Sequence, residues 1–445
     1  MKHRFFRAAA ALLLLLSLSG CFGIHSAEEL YCLPQIPGYL RELQAAVDLI
    51  LEDGAEYAPP ICGEHRQSVQ LEDIDCDGEK EVVCFFRRKE AELPLMLCIF
   101  RQSGESYVET FRLNMEGNGF DQVFYSDLNG DGTLELVVGR QLGTELKMLS
   151  VYTVNECGAA CLFQADYIEL AMADLTRNGR DDITVIRPLT EVGCCEAETF
   201  TVTEDGDVTS SRTRLSRTAG ELERVRITRL SNGAMGVVAE TGYNSGLVTD
   251  ILAWRYGGLS NITVDTLTGV SDSTVRSAAI YSADINGDGV IDVPQTVAMP
   301  QIQEGTVYYR TVWYNYSTYG QVEPVMTTYH NYSDGWYLAL DDSWAARITV
   351  RREDTSSGER TVVFSVTDGE DTVLYDWLRI SAFTGEGQEE RATQGGGFLL
   401  HSDGLTTYTA QLLPGSTGYI ARITPQEILD RFHIIYSDWE TGELS

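Results

Sequence analysis

The chain has 445 residues, 43% of them hydrophobic and 10% aromatic, which is enough apolar material for two or three domains or one large repeat array. Lys and Arg number 33 against 66 Asp and Glu, for a formal charge of -33. That balance excludes a basic surface for nucleic acid and a polybasic patch for anionic lipid, and it suits cations.

Lys2, Arg4 and Arg7 precede an apolar run from Ala8 to Leu16, too short to span a bilayer. With Leu18-Ser19-Gly20-Cys21 behind it, the stretch 1–20 reads as a secretory signal peptide. Its ending resembles the lipobox of bacterial lipoproteins. The resemblance implies cleavage before Cys21 and diacylglycerol on its thiol. No later stretch reaches the roughly 20 apolar residues of a membrane-spanning helix. The expectation is therefore a protein held outside the cell membrane by a lipid anchor, with no nucleic-acid partner. Residues 21–60 form the anchor, a tether and an amphipathic helix, because Leu40, Leu43, Val47 and Ile50 recur at helical spacing over 38–53. That helix is expected to pack on the main body. Nine cysteines follow Cys21, so at least one thiol has no intrachain partner. Neither Cys157 and Cys161 nor the adjacent Cys194 and Cys195 match the spacing of a zinc ribbon.

Four segments then align without gaps, at 73–83, 127–137, 174–184 and 284–294. Their shared frame is Asp-x-[Asp/Asn/Thr]-x-[Asp/Asn]-Gly-x-x-[Asp/Glu]. The last two starts are separated by about twice the usual interval, which places a further repeat near 229. There Arg229-Leu230-Ser231-Asn232-Gly233 lacks the leading carboxylate, so this copy is expected to be empty. Oxygen ligands at positions 1, 3 and 5 of a tight loop converge on one hard cation, and a carboxylate at position 9 closes the sphere. Glycine at position 6 permits the sharp turn. Calcium, which tolerates irregular oxygen shells, is favoured over magnesium. An EF-hand would need Glu at position 12, where Cys84, Val138, Val185 and Gln295 stand, and flanking helices. The exits are instead β-favouring, as in Val82-Val83-Cys84-Phe85-Phe86 and Ile183-Thr184-Val185-Ile186.

These loops resemble the calcium loops of FG-GAP/VCBS-type, integrin-like β-propellers. The resemblance implies Ca2+ held by Asp73, Asp75, Asp77 and Glu81; by Asp127, Asn129, Asp131 and Glu135; by Asp174, Thr176, Asn178 and Asp182; and by Asp284, Asn286, Asp288 and Asp292. The third set is the weakest, since only Asp174 and Asp182 bring formal charge.

Further runs such as Leu95 to Phe100, Met148 to Tyr152 and Thr199 to Val202 supply about four strands per 50 residues, the arithmetic of a propeller blade. The expected fold is all-β, a propeller of six to seven four-stranded blades with short helices at each end. Residues 61–350 carry the repeats. Residues 351–445 are either further blades or a separate cap. Thr424-Pro425-Gln426-Glu427 is a capping box that opens a short C-terminal helix.

Residues 308–337 are rich in Tyr and Trp. Trp313, Tyr314, Tyr316 and Trp336 are candidates for ligand stacking, although such rings also pair across strands in a core. The nucleophile elbow, phosphate loop, dinucleotide fingerprint and His-Glu-x-x-His motif are all absent from the sequence. The expected role is a binding or adhesion module for a glycan or another protein. A carbohydrate-active enzyme on the same scaffold and an envelope assembly lipoprotein are the alternatives.

Overall fold

A computed structural model describes residues 38–435, apart from 105, 145, 156–157, 190–192, 218–219, 278–279, 303–305, 355–357, 370–371 and 418–421. The signal-peptide reading and Cys21 lie outside these residues. The chain is mainly β, in six antiparallel sheets among the described residues.

Helix α1 (Gly38–Glu52) comes first, one residue shorter than its periodicity predicts. Sheet 1 follows, with β1 (Glu56–Tyr57) and β2 (Val69–Glu72) both on one edge of β3 (Glu81–Arg87), then β4 (Leu95–Ser103) and β5 (Ser106–Met115). Sheets 2, 3 and 4 are four-stranded meanders paired in chain order. They comprise β6 (Gly119–Ser126), β7 (Glu135–Gln141), β8 (Lys147–Asn155) and β9 (Gly158–Tyr167); β10 (Glu169–Ala173), β11 (Asp182–Leu189), β12 (Cys194–Val202) and β13 (Val208–Arg214); and β14 (Leu222–Arg229), β15 (Met235–Tyr243), β16 (Gly246–Arg255) and β17 (Gly258–Asn261). Sheet 5 continues the pattern with β18 (Val293–Ala298), β19 (Tyr309–Tyr316), β20 (Val322–Asn331) and β21 (Trp336–Leu340).

After the single turn α2 (Asp342–Ala345), sheet 6 begins with β22 (Ile348–Asp354), β23 (Glu359–Thr367) and β24 (Val373–Thr384). Helix α3 (Gln388–Gln394) interrupts the meander, so β25 (Phe398–Ser402) lies on the edge and β26 (Thr406–Leu412) pairs with β24. The predicted capping box is present. The Thr424 side chain accepts the Glu427 N–H, and the Glu427 carboxylate accepts the Thr424 N–H, at the start of α4 (Pro425–Arg431). The chain then returns as β27 (Phe432–Ile434) to the outer edge of sheet 5, beside β21.

Why the strands read as unbroken apolar runs is clear from the packing. On sheet 1, Val83, Phe85, Leu95, Leu97 and Ile99 meet Val123, Leu136 and Val138 of sheet 2. The intervening residues Val82, Cys84, Phe86, Met96, Cys98 and Phe100 point the other way, under Leu43, Val47 and Ile50 of α1. A strand buried on both faces cannot alternate apolar with polar. The same scheme repeats down the chain. Val137 and Leu149 meet Ile183 and Val185; Ile186 and Ala197 meet Val237 and Leu252; Val238 and Ile251 meet Val293 and Tyr316; Trp336 and Leu338 meet Phe364 and Trp377. Each sheet thus packs face to face on its neighbours in sequence. Among the described residues no apolar cluster joins sheet 6 to sheet 1, whose outer face belongs to α1.

Candidate metal centre

The four acidic loops occupy equivalent places. Loop 1 (73–80) joins β2 to β3, loop 2 (127–134) joins β6 to β7 and loop 3 (174–181) joins β10 to β11, each turning into the strand that carries the position 9 carboxylate. Loop 4 precedes β18 and is closed by the isolated bridge between Ala283 and Asp292.

Short oxygen-bearing side chains fold each loop on itself. The position 1 carboxylate accepts the N–H of the position 6 glycine: Gly78 to Asp73 at 3.0 Å, Gly132 to Asp127 at 3.1 Å, Gly179 to Asp174 at 3.0 Å and Gly289 to Asp284 at 2.8 Å. The position 5 oxygen accepts the N–H of position 7 at 2.8 Å in all four, through Asp77, Asp131, Asn178 and Asp288. The position 9 carboxylate reaches back to the start of the loop. Glu81 and Glu135 accept the N–H of Ile74 and Leu128 at 2.9 Å, and Asp292 that of Ile285 at 3.3 Å. The position 6 glycines have φ between 81° and 94°, a region costly for any residue with a Cβ. Position 4 is also left-handed, with glycine at 130 and 287 and the non-glycine residues Cys76 and Arg177 in the other two loops.

The donor set is wholly oxygen, and its electrostatics are unbalanced. The Asp292 side chain is fully buried, and its Oδ1 accepts no hydrogen bond among the described residues; Asp73 Oδ1 is likewise orphaned. Burial pushes the carboxyls of Glu135 and Asp292 up to about 7 and also raises Glu81. An oxygen-ligated divalent cation would supply the positive charge that these buried carboxyls lack, and the all-oxygen donor sets of loops 1, 2 and 4 are of the kind calcium takes.

Loop 1 brings ligand oxygens of Asp73, Asp75 and Glu81 within 4.8 Å of one another. There Arg101 of β4 already approaches, 2.5 Å from Asp75 Oδ2 and 3.2 Å from Glu81 Oε1. No sequence pattern links Arg101 to a loop more than 20 residues upstream; only the hairpin brings it there. In loop 3 the buried Asp182 is satisfied by hydroxyls and amides, with Thr201 Oγ1 at 2.9 Å and the Thr176 N–H at 2.8 Å. It is a hydrogen-bonded copy of the motif with two arginines, Arg177 and Arg180, in the turn. The stretch after Arg229 is a plain hairpin turn, shorter by three residues than loop 2, closed by Leu230 N–H to Ala234 O at 2.7 Å.

The loops form a continuous belt along one end of the sheets. Leu134 N–H donates to Ile74 O at 2.7 Å, joining loops 2 and 1. Arg180 Nη1 donates to Asn129 O at 2.8 Å, joining loops 3 and 2, and Arg177 donates to Asn232 O at 3.2 Å in the degenerate turn. A parallel bridge between Arg229 and Val290 then reaches loop 4.

The aromatic candidates lie elsewhere. Trp313 and Trp336 are buried, and so is Tyr316; Tyr314 is half-buried. Trp313 donates its indole N–H to Thr328 Oγ1 at 2.8 Å, and Trp336 packs against Phe364 and Phe432. The buried rings build cores between strands and sheets and offer no stacking surface. Among the described residues no helix is long and apolar enough to cross a membrane. A scan against protein-family models finds none that matches, and a search of curated proteins returns no match.

Proposed function

We propose that this protein is a calcium-stabilised, propeller-type array of β-sheets, tethered outside a cell membrane through Cys21, that serves as a binding module for a glycan or a protein. Serial face-to-face packing of successive meanders supports the propeller-type reading, with α1 capping the first sheet where a closed ring would seat the last. The observation that carries the metal reading is the buried, unpartnered Oδ1 of Asp292 at the closing position of loop 4. An ion bound only by the folded chain raises stability by mass action. Chelation is expected to lower the melting temperature and added calcium to restore it. Asp127→Ala and Asp284→Ala should each remove part of that response, whereas Arg229→Ala should leave it intact. A melting curve indifferent to both chelator and calcium would end the metal reading.

A further inference from the structure

Sheet 6 departs from the plain meander. After β24 the chain winds into α3, passes to the edge as β25, and returns as β26 between the two strands. Tyr408 and Ala410 of β26 pack toward sheet 5. Strand alternation therefore turns Thr407 and Thr409 to the opposite face, where α3 lies against β24 and β26. Between α3 and these strands a cavity of about 430 Å³ opens. That volume suits one or two sugar rings and falls in the range of small-molecule sites.

Two features set its chemistry. The first is a set of hydroxyls, one of them unsatisfied. Thr361, Ser381 and Thr409 stand in register across β23, β24 and β26. Thr361 and Ser381 bond each other at 2.8 Å. Thr409, next in line, is 8% exposed, lines the cavity and makes no side-chain hydrogen bond among the described residues. A buried hydroxyl without a partner is costly, and this one borders a space from which a partner can come. Ser402 and Thr407, paired at 3.0 Å, line the same cavity and keep lone pairs to offer. Leu399, beside Thr409 on β25 and 58% exposed, supplies an apolar wall. The second feature is charge. Glu389 of α3 is the charged residue of the lining, exposed and without an ion pair among the described residues. Its neighbour Arg391 is committed to the carbonyls of Thr384 and Glu386. In a chain whose formal charge is -33, such a site repels anions and draws in a cation.

We propose that this cavity binds an amino sugar unit of a glycan, with the ammonium on Glu389, ring hydroxyls on Thr409 and Thr407, and a C–H face on Leu399. The inference rests on the binding-module reading and names its ligand class; it does not depend on calcium.

The test is calorimetric titration with the glucosamine disaccharide and with its N-acetylated form, at about pH 6, where the free amines are protonated. Salt at about 0.15 M screens diffuse attraction to the acidic chain. The amine form should bind about tenfold more tightly than the acetylated one, and Glu389→Gln should close that gap. Glu390→Gln, on the same turn but outside the lining, should change nothing. Thr409→Val should weaken both sugars while leaving the melting temperature unchanged or raised, because it removes a hydroxyl that no protein group satisfies. Glu389 is exposed, so its variant keeps the test decisive even if Thr409→Val folds poorly. Equal binding of the two sugars overturns the proposal, as does an equal loss in Glu389→Gln and Glu390→Gln. A lysine dipeptide that binds as tightly as the amine sugar, without regard to Thr409→Val, assigns the cavity to protein and also overturns it. A glycan array separates this inference from the reading beneath it. Binding of other glycans that Thr409→Val leaves intact overturns the cavity assignment and keeps the module, whereas silence across the array overturns the cavity along with the glycan reading.

Discussion

Gly130 and Gly132 of loop 2 are both left-handed, at φ 81° and 88°, yet they differ in what surrounds them. A Cβ on Gly132 meets nothing within 4 Å, whereas one on Gly130 comes within 2.6 Å of Arg180 Nη1. Gly132→Ala should therefore cost only its backbone strain, about 1 kcal/mol. Gly130→Ala should cost more, because it also displaces the guanidinium that ties loop 3 to Asn129. Denaturant melts of the two variants decide this, and equal losses would show that the Arg180 contact contributes nothing. Arg101 supports a second prediction. Its positive charge stands where a cation would sit in loop 1, so Arg101→Gln should tighten calcium binding at that loop while leaving loop 4 unchanged. Calcium titration of the variant should show one strengthened site; a weakened one would make Arg101 a partner of the ion instead of its competitor. The regular turn chemistry was legible in the sequence because it depends on residues within nine positions. Arg101, Thr201 and the loop-to-loop bonds were not, because they join residues that only the fold brings together.

At the scale of elements, the apolar runs at 82–86, 95–100 and 183–186 mark strands correctly, and the helical spacing of Leu43, Val47 and Ile50 marks the helix and its buried face. What the runs could not reveal is which partner covers each face. Periodicity records burial and is silent on the neighbour. The same limit explains the aromatic stretch, where Trp313 and Trp336 are rich in contact chemistry but spend it inside the protein. It also hid β27, three residues whose place beside β21 depends on where α4 aims the chain. Sheet 1 offers a way to test the helix as a cap. Cys84 and Cys98 face each other across β3 and β4, fully buried under α1, and burial pushes both thiols up to about 12. In the folded chain they should resist thiol reagents. Val47→Asp, which buries a charge against them, should loosen α1 and make both reactive under otherwise native conditions. Mass spectrometry after alkylation reads the outcome by site. Unchanged protection of Cys84 and Cys98 in a variant with lowered stability would mean that α1 is not what shields them.

At the scale of the whole molecule the sheets form a succession: among the described residues, every apolar cluster between sheets belongs to two sequence neighbours. Stability in such an array is set by the sheets and by the interfaces between adjacent ones. Damage at one interface should then remain near it unless the ends of the array are joined. Trp377 is fully buried between sheets 5 and 6, with its ring 5.2 Å from Trp344 and 6.0 Å from Phe364. Trp377→Ala opens a large cavity there, at a cost of about 3–5 kcal/mol. With α1 on the outer face of sheet 1 and, among the described residues, no apolar cluster between sheets 1 and 6, hydrogen exchange should quicken in β20 to β24 and in β26 and stay slow in β3, β4 and β7. A ring closed by tight contact between the first and last sheets would behave differently, because sheet 1 would lose its neighbour on one side and sheet 5 would lose its own on the other. Exchange that quickens equally in sheets 1 and 5 would therefore establish contact between the ends and make α1 a wedge within a closed circle. Exchange confined to sheets 5 and 6 would make the helix the true terminus of an open stack.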